Sequence, residues 1–310
     1  MSDGATVTGQ ERADTRCGFF ALVGAPNAGK STLVNALVGA KVSIVTHKVQ
    51  TTRATVRGIA IRGASQMVLI DTPGIFNPRK RLEKAMVEAA WGGLADSDMA
   101  LVLIDSKKGI GEDSAMILER VAASRRRAAL VLTKVDLVTP ERLLPLAKAA
   151  NEAAAFERTF MVSAETGSGI DDLLDYLAET SPPGPWHFPE DDISDAPLRS
   201  LAAEVTREKL FLRVHDEIPY QTTIETTLWK DIGPDRVRIE QTIYVARDRQ
   251  KAIVLGHKGE TVKAISMSAR EELTAMLDKR VDLFLFVKVS PNWVNDPERY
   301  REMGLDRPSE

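Results

Sequence analysis

Between Phe19 and about Glu179 the chain alternates apolar runs with segments of helical periodicity. Phe19–Val23, Met99–Ile104, Ala128–Leu132 and Thr159–Val162 are nearly continuous apolar stretches, the pattern of strands buried on both faces. Thr32–Val38, Arg81–Leu94, Ser114–Ala123, Glu141–Ala154 and Ile170–Leu177 place apolar residues at helical spacing. Arg53–Ile61 and Gln66–Ile70 read as two strands joined by a turn containing Gly63. Strand and helix in alternation predict an α/β fold, a mostly parallel sheet covered on both faces. In such sheets ligands bind at the carboxyl ends of the strands.

The pattern breaks at Ser181-Pro182-Pro183-Gly184-Pro185, which can continue neither helix nor strand. Beyond it, Leu198–Leu212 and Val262–Leu277 read as helices, and Thr222–Trp229, Val237–Val245 and Leu283–Val289 as strands, a smaller α+β unit. The expected division is a mobile tail over 1–16, a first domain over 17–181, a linker over 182–195, and a second domain with a C-terminal extension over 196–310. A length of 310 residues suits two domains. With one cysteine, Cys17, and four histidines, neither a disulfide framework nor a cysteine- or histidine-rich metal site is expected. No apolar run is long enough to span a bilayer, and the polar first 16 residues hold no apolar core of a secretory signal, so a cytoplasmic protein is expected. A net charge of −3 means that any contact with nucleic acid must come from a local patch.

The first strand runs into Gly24-Ala25-Pro26-Asn27-Ala28-Gly29-Lys30-Ser31, a G-x-x-x-x-G-K-S string and the phosphate-cradling P-loop. Its glycines let the backbone close on phosphate oxygens with N–H groups pointing inward, and the following helix adds partial positive charge. Lys30 is expected to meet the outer phosphates, Ser31 to ligate Mg²⁺, and Thr32 to complete the nucleotide-contacting stretch. Asp71-Thr72-Pro73-Gly74 follows the next strand. There Asp71 can hold Mg²⁺ through water and the Gly74 amide can meet a γ-phosphate. Between these motifs lies Gln50-Thr51-Thr52-Arg53. A switch threonine that completes the Mg²⁺ shell is expected here, Thr52 in preference to Thr51.

Thr133-Lys134-Val135-Asp136 follows a further strand and resembles the N-K-x-D guanine motif of GTPases, with Thr133 in place of Asn. The Asp136 carboxylate can accept from both N1–H and the exocyclic amine of guanine, whereas adenine would leave it unpaired. The threonine cannot make the paired amide contacts of Asn, so looser binding is expected. Ser163-Ala164-Glu165 resembles the S-A-x motif that caps the base oxygen. Ile75 stands where many GTPases place a water-orienting glutamine, so catalysis is expected from a backbone-held water, a partner or a monovalent cation. Asn27 resembles the Asn that binds K⁺ beside the β- and γ-phosphates. The expected catalytic set is Asn27, Lys30, Thr52 and Gly74, and the expected metal ligands are Ser31, Thr52 and Asp71.

In the second unit Gly256-His257-Lys258-Gly259 is a G-x-x-G loop of the kind that clamps single-stranded RNA backbone in KH domains. Arg247, Arg249, Lys251 and Lys263 lie near it in sequence, and Lys251, His257, Lys258 and Lys263 are the expected RNA contacts with the two glycines. Val262, Ile265, Ala269, Leu273 and Met276 have core spacing on the following helix.

G-A-P-N-A-G-K-S, Q-T-T-R and D-T-P-G-I are followed by a proline-rich linker, F-P-E-D, Arg207-Glu208-Lys209-Leu210, Asp216-Glu217-Ile218-Pro219-Tyr220 and G-H-K-G. Over nearly its whole length the chain resembles the bacterial Era GTPases. The resemblance implies a P-loop GTPase domain, a type II KH domain, Mg²⁺, and binding to the 3′ end of 16S ribosomal RNA during assembly of the 30S subunit. It also implies peripheral membrane contact in some members, and a monomer is expected. The alternative is an RNA-binding module that keeps nucleotide as a structural or regulatory ligand. A metabolic P-loop kinase fits less well, because it would lack a reason for Asp136. A tandem GTPase would need a second G-x-x-x-x-G-K-S string.

Asp136→Asn turns one acceptor into a donor, which suits the N1 and exocyclic positions of xanthine. Competition binding should show preference moving from GTP toward XTP, and an unchanged GTP preference would remove Asp136 from the base pocket.

Overall fold

A computed structural model describes residues 14–46, 48, 51–53, 55–78, 80–214, 218, 221–291, 293 and 305. Gln50 of the expected switch, and Asp216, Glu217, Pro219 and Tyr220, lie outside the described residues.

The first unit is a six-stranded sheet. Its strands are β1 (Arg16–Gly24), β2 (Val56–Arg62), β3 (Ser65–Asp71), β4 (Met99–Asp105), β5 (Ala128–Thr133) and β6 (Thr159–Met161). They lie in the order β2-β3-β1-β4-β5-β6, all parallel except β2 against β3. Helices α1 (Lys30–Val38), α2 (Arg81–Ala95), α3 (Glu112–Ser124), α4 (Pro140–Ala153) and α5 (Ile170–Thr180) cover it. β3 and β4 are buried at every position, which is why their sequences do not alternate. α1 and α5 pack on one face with Phe20, Leu22 and Leu101, while α2, α3 and α4 pack on the other with Val23, Val102 and Leu130. The strand order reverses at β1, so the loop after β1 opens into the crevice between its neighbours, where open α/β sheets bind ligands.

The second unit runs α6 (Leu198–Arg213), β7 (Thr222–Gly233), β8 (Arg236–Val245), α7 (Asp248–Leu255), α8 (Glu260–Leu277) and β9 (Arg280–Val289). β8 is central, antiparallel to β7 and parallel to β9. Its core is separate from the first: Ala202, Val205, Ile239, Ala269 and Leu273 form one cluster, and Leu210, Phe211, Ile243, Val254 and Ile265 another. α7 is absent from the sequence expectation. Its apolar stretch Ala252–Leu255 is too short to show a helical period.

Three boundaries differ from expectation. Thr15 and Arg16 belong to the fold and not to the tail: Gly184 N donates to Thr15 O at 3.0 Å, and Arg16 donates to the carbonyls of Glu179 and Ser181. The second strand starts at Val56, where pairing with Asp71 of β3 begins, while the Arg53 guanidinium donates to Thr222 O of the second unit at 2.7 Å. The proline-rich segment joins the units, yet it is no loose spacer. Gln66, fully buried, accepts from His187 N at 2.9 Å and Phe188 N at 3.1 Å and donates to Phe188 O at 2.8 Å. Further along, Ile59 N donates to Ile193 O at 2.9 Å and Trp186 Nε1 to Ala64 O at 3.0 Å.

Gln66→Leu would keep the volume while leaving the amides of His187 and Phe188 without their acceptor. We expect a loss of about 1–3 kcal/mol in urea unfolding, the cost of buried donors left unpaired, together with faster proteolysis within residues 182–195.

Candidate nucleotide and RNA sites

The carboxyl ends of β1, β3 and β5 bring three of the sequence motifs together. Gly24–Ser31 turns from β1 into α1, with Asn27 at φ 62° and Gly29 at φ 92°. Both lie in the left-handed region that turns successive N–H groups to one side. Gly74 lies close against the P-loop: a methyl group there would stand 3.0 Å from Pro26 Cα, a tight contact. The Asp71–Gly74 loop is therefore pressed against the P-loop, and Ile75 N donates to Gly24 O at 3.1 Å. Ile75 itself is fully buried among Val23, Ala90 and Val102, so its side chain takes no part in orienting water. Thr72 Oγ1 donates to Leu22 O at 2.7 Å and ties the loop to β1.

Lys30 lies folded back along the loop, its Nζ donating to Gly24 O at 3.0 Å and Ala25 O at 3.2 Å. Burial lowers its pKa to about 8, against the pull of the Asp71 carboxylate. The two carbonyls occupy the donors that a phosphate would take over.

Asp71 is completely buried, and among the described residues neither of its oxygens has a hydrogen-bond partner of good geometry. Burial raises its carboxyl above the ordinary value, although Ser31, Lys30, Ser43 and Thr52 stand near enough to offset part of that cost. Ser31 Oγ and Thr52 Oγ1 are 2.8 Å apart beside it. A buried, unpaired carboxylate next to two hydroxyls is a hard oxygen donor set, and it fits Mg²⁺. Of the two candidate threonines, Thr52 meets Ser31. Thr51 instead pairs with Thr46 Oγ1 at 2.7 Å and donates to Lys48 O.

The base-side motifs assemble around the same loop. The Thr133 hydroxyl points inward and donates to Ala28 O of the P-loop at 2.7 Å. Lys134, at φ 58°, bridges Asn27 O at 2.8 Å and Asp105 Oδ2 at 2.7 Å. Asp136 and Glu165 are exposed, Asp136 on the short turn Val135–Leu137. Ser163 is buried, with its N–H donating to Ser168 O and its Oγ accepting from Thr166 N, while Ala164 is half-buried.

Two residues escaped the sequence reading. Asp105, at the end of β4, anchors Lys134 and accepts from Lys107 N. An acidic residue at a strand end beside the site was the available signal. Asn35, within α1, accepts from Val42 N and Ser43 N, both at 2.9 Å, and so ties the start of the switch segment to the helix. Nothing in its local sequence distinguishes it from a surface residue.

In the second unit the G-x-x-G loop joins α7 to α8. A methyl at Gly256 would fall 2.2 Å from Thr261 Oγ1, and Lys258 and Gly259 have φ of 48° and 83°. This strained turn leaves His257 and Lys258 exposed at the start of α8, with Lys263 exposed and Lys251 half-buried nearby in the chain. Ile265, Ala269 and Leu273 are core, as their spacing predicts. Met276 packs at the core's edge and Val262 is half-buried.

These features define a P-loop nucleotide-binding domain joined to a G-x-x-G domain. Residues 19–134 match the family described as 50S ribosome-binding GTPase, and 217–294 match the KH domain family. The chain is 60% identical over 311 residues to GTPase Era of Brucella suis biovar 1 (strain 1330), covering all of both chains. It is 62% identical over 298 residues to GTPase Era of Mesorhizobium japonicum, covering 96% of each. A crystal structure of Era in complex with MgGDPNP and nucleotides 1506–1542 of 16S ribosomal RNA matches with a TM-score of 0.88 at 36% identity, over 94% of this chain and 99% of that one. An Aquifex aeolicus Era variant bound to GDP·AlF4⁻ matches with a TM-score of 0.87 at 36% identity, over the same shares of the two chains. The chain belongs to the Era family of GTPases.

Thr133→Val would leave the Ala28 carbonyl without its donor and loosen the P-loop. GTP and GDP affinity should both fall roughly tenfold, equivalent to one such contact. Thr133→Asn, which can still reach that carbonyl, should stay near the parent in the same fluorescence titrations.

Proposed function

We propose that this protein hydrolyses GTP to GDP and phosphate, binds the 3′ end of 16S ribosomal RNA through its KH domain, and assists assembly of the 30S subunit. The observation that carries this reading is the end-to-end correspondence with an Era structure that holds MgGDPNP and nucleotides 1506–1542 of 16S ribosomal RNA together.

The P-loop amides and Lys30 hold the phosphates, and their positive ends face the charge that spreads over the transferred group. The Gly74 amide, pressed against Pro26, meets the γ-phosphate side. Ser31, Thr52 and Asp71 hold Mg²⁺, which when bound neutralises charge on the β- and γ-oxygens. Asp136 reads guanine, with Lys134 fixed beneath by Asn27 O and Asp105. Ile75 is sealed in the core, so its side chain does not orient the attacking water. That leaves the task to a backbone-held water, a partner, or K⁺ that Asn27 would hold.

On the RNA side, Gly256 and Gly259 let the phosphate backbone approach, and Lys251, His257, Lys258 and Lys263 supply charge. Its place of action is the cytoplasm, as a monomer, with peripheral contact at the inner face of the membrane resting on the family resemblance alone. No helix among the described residues is long and apolar enough to cross a membrane.

Hydrolysis should run faster in K⁺ than in Na⁺ at equal ionic strength. Asn27→Ala should erase that difference while GTP still binds, and equal rates in the parent would assign catalysis to a partner instead.

Replacing His257 and Lys258 together by Asp sets two carboxylates against RNA phosphates. Affinity for a single strand carrying the 3′ end of 16S ribosomal RNA should fall strongly and its salt slope should shrink. GTP affinity should hold at the parent value, and undiminished RNA binding would refute the assignment of this loop.

A further inference from the structure

The segment that carries Thr52 lies between the two domains. Val42, Ser43, Thr52 and Arg53 form one wall of a cavity of about 490 Å³, and α6 and β7 form the other. Close packing fixes a segment only where neighbours touch it on all sides. With open space behind it, this one is held by directed contacts, some within its own domain and three across the boundary to the RNA-binding domain. Arg207 donates to Thr51 O, Arg53 to Thr222 O at 2.7 Å, and Lys48 to Val214 O.

Arg207 is the least replaceable of these. It is 2% exposed, and its Nε and NH2 are paired with Glu204 one turn earlier on α6. Its guanidinium lies over the Phe211 ring at 5.1 Å, and Arg53 lies over the same ring at 6.0 Å. Carboxylate and ring together fix the plane of a group whose donors form a rigid fork. That fork points NH2 at the carbonyl of Thr51, while NH1 is buried without a hydrogen-bond partner among the described residues. The carbonyl belongs to the peptide that ends at Thr52 N. Holding it sets the direction in which the Thr52 side chain leaves the backbone, and that side chain meets Ser31 at 2.8 Å.

We infer that Arg207 is a positioning residue for the metal-side threonine, so that the first helix of the RNA-binding domain completes the nucleotide site of the other domain. The inference rests on the reading of Thr52 as the switch threonine. The Thr51 side chain is tied within its own loop, whereas its carbonyl is held from across the domain boundary. Undocking would release the carbonyl and leave the rest of the P-loop intact.

The test is Mg²⁺ titration of fluorescent GTP and GDP binding to the full chain and its variants. Arg207→Met keeps the aliphatic stem and removes the fork, and Glu204 is exposed enough to be solvated without it. The Mg²⁺ concentration for half-maximal GTP binding should rise about tenfold, the size of one lost charge-assisted hydrogen bond. GDP affinity should change by less than about twofold, because the switch threonine engages metal only with the γ-phosphate present. Arg207→Lys keeps the charge opposite Glu204 and should show a smaller shift in the same direction. It also reads the same comparison should the Met variant fail to fold. Glu272→Gln, which weakens the contacts of Lys41 and Lys209 without touching Thr51, should leave the Mg²⁺ dependence at parent values. Equal weakening of GTP and GDP by the Arg207 variants would reduce Arg207 to a structural role. An unchanged Mg²⁺ dependence in them, where Thr52→Val shows a shift, would overturn the inference. If Thr52→Val shows no shift either, the reading of Thr52 falls and this inference with it.

Discussion

The buried carboxylate of Asp71 is the constraint around which the first domain is arranged. A charge with no hydrogen-bond partner in a protein interior is costly, and this one sits at the end of a strand buried along its whole length. Its surroundings carry compensation in three forms: the Lys30 ammonium, the paired hydroxyls of Ser31 and Thr52, and Ser43. They arrive on two pieces of chain, Lys30 and Ser31 at the start of α1 and Ser43 and Thr52 on the segment that follows it. The P-loop, the start of α1 and the switch segment must all be in place before that carboxylate is tolerable without a cation. The site is thus built to be completed from outside, and a divalent ion with a nucleotide is the natural completion.

That dependence reaches the second domain through the switch segment. Lys41 contacts Glu208 at 2.7 Å and also Glu272, and Val45 N donates to Glu208 at 2.9 Å. Lys209 joins the same carboxylates, so two lysines and two glutamates share one network across the boundary. Burial alone would raise the Glu208 carboxyl, yet the hydrogen bonds from Lys41, Lys209 and Val45 hold it below its ordinary value. The residues just before the switch threonine are accordingly shared property. The first domain owns their sequence, and the second fixes much of their geometry.

What the sequence disclosed follows from this division. The P-loop, Asp71–Gly74 and the G-x-x-G loop were legible because each is a contiguous string whose chemistry is local. A continuous apolar run likewise revealed β4, which has no exposed face. Asp105, Asn35 and Arg207 were not legible, because each acts on a partner that the chain brings near only by folding: Lys134 for Asp105, Ser43 for Asn35 and Thr51 for Arg207. Thr133 shows the complementary difficulty. Its substitution for Asn was visible, but whether the hydroxyl faced a base or the P-loop depended on the register of β5 beside β4. Arg53 reads as the start of a strand, whereas backbone pairing with β3 begins at Val56.

The path of the linker bears on how the protein can be divided. β2 is an edge strand, and an edge with free N–H and C=O groups is a template for pairing with other chains. Here Ile193, Ser194 and Asp195 lie along it: Ile59 N donates to Ile193 O, Gly58 bridges Ser194, and Asp195 N donates to Arg57 O. The segment that ties two domains together therefore also shields the sheet of the first. A nucleotide-binding fragment ended at the prolines would retain the whole P-loop and the Asp71–Gly74 loop, yet it would bare the flank of the sheet that this sequence leaves to the linker to cover.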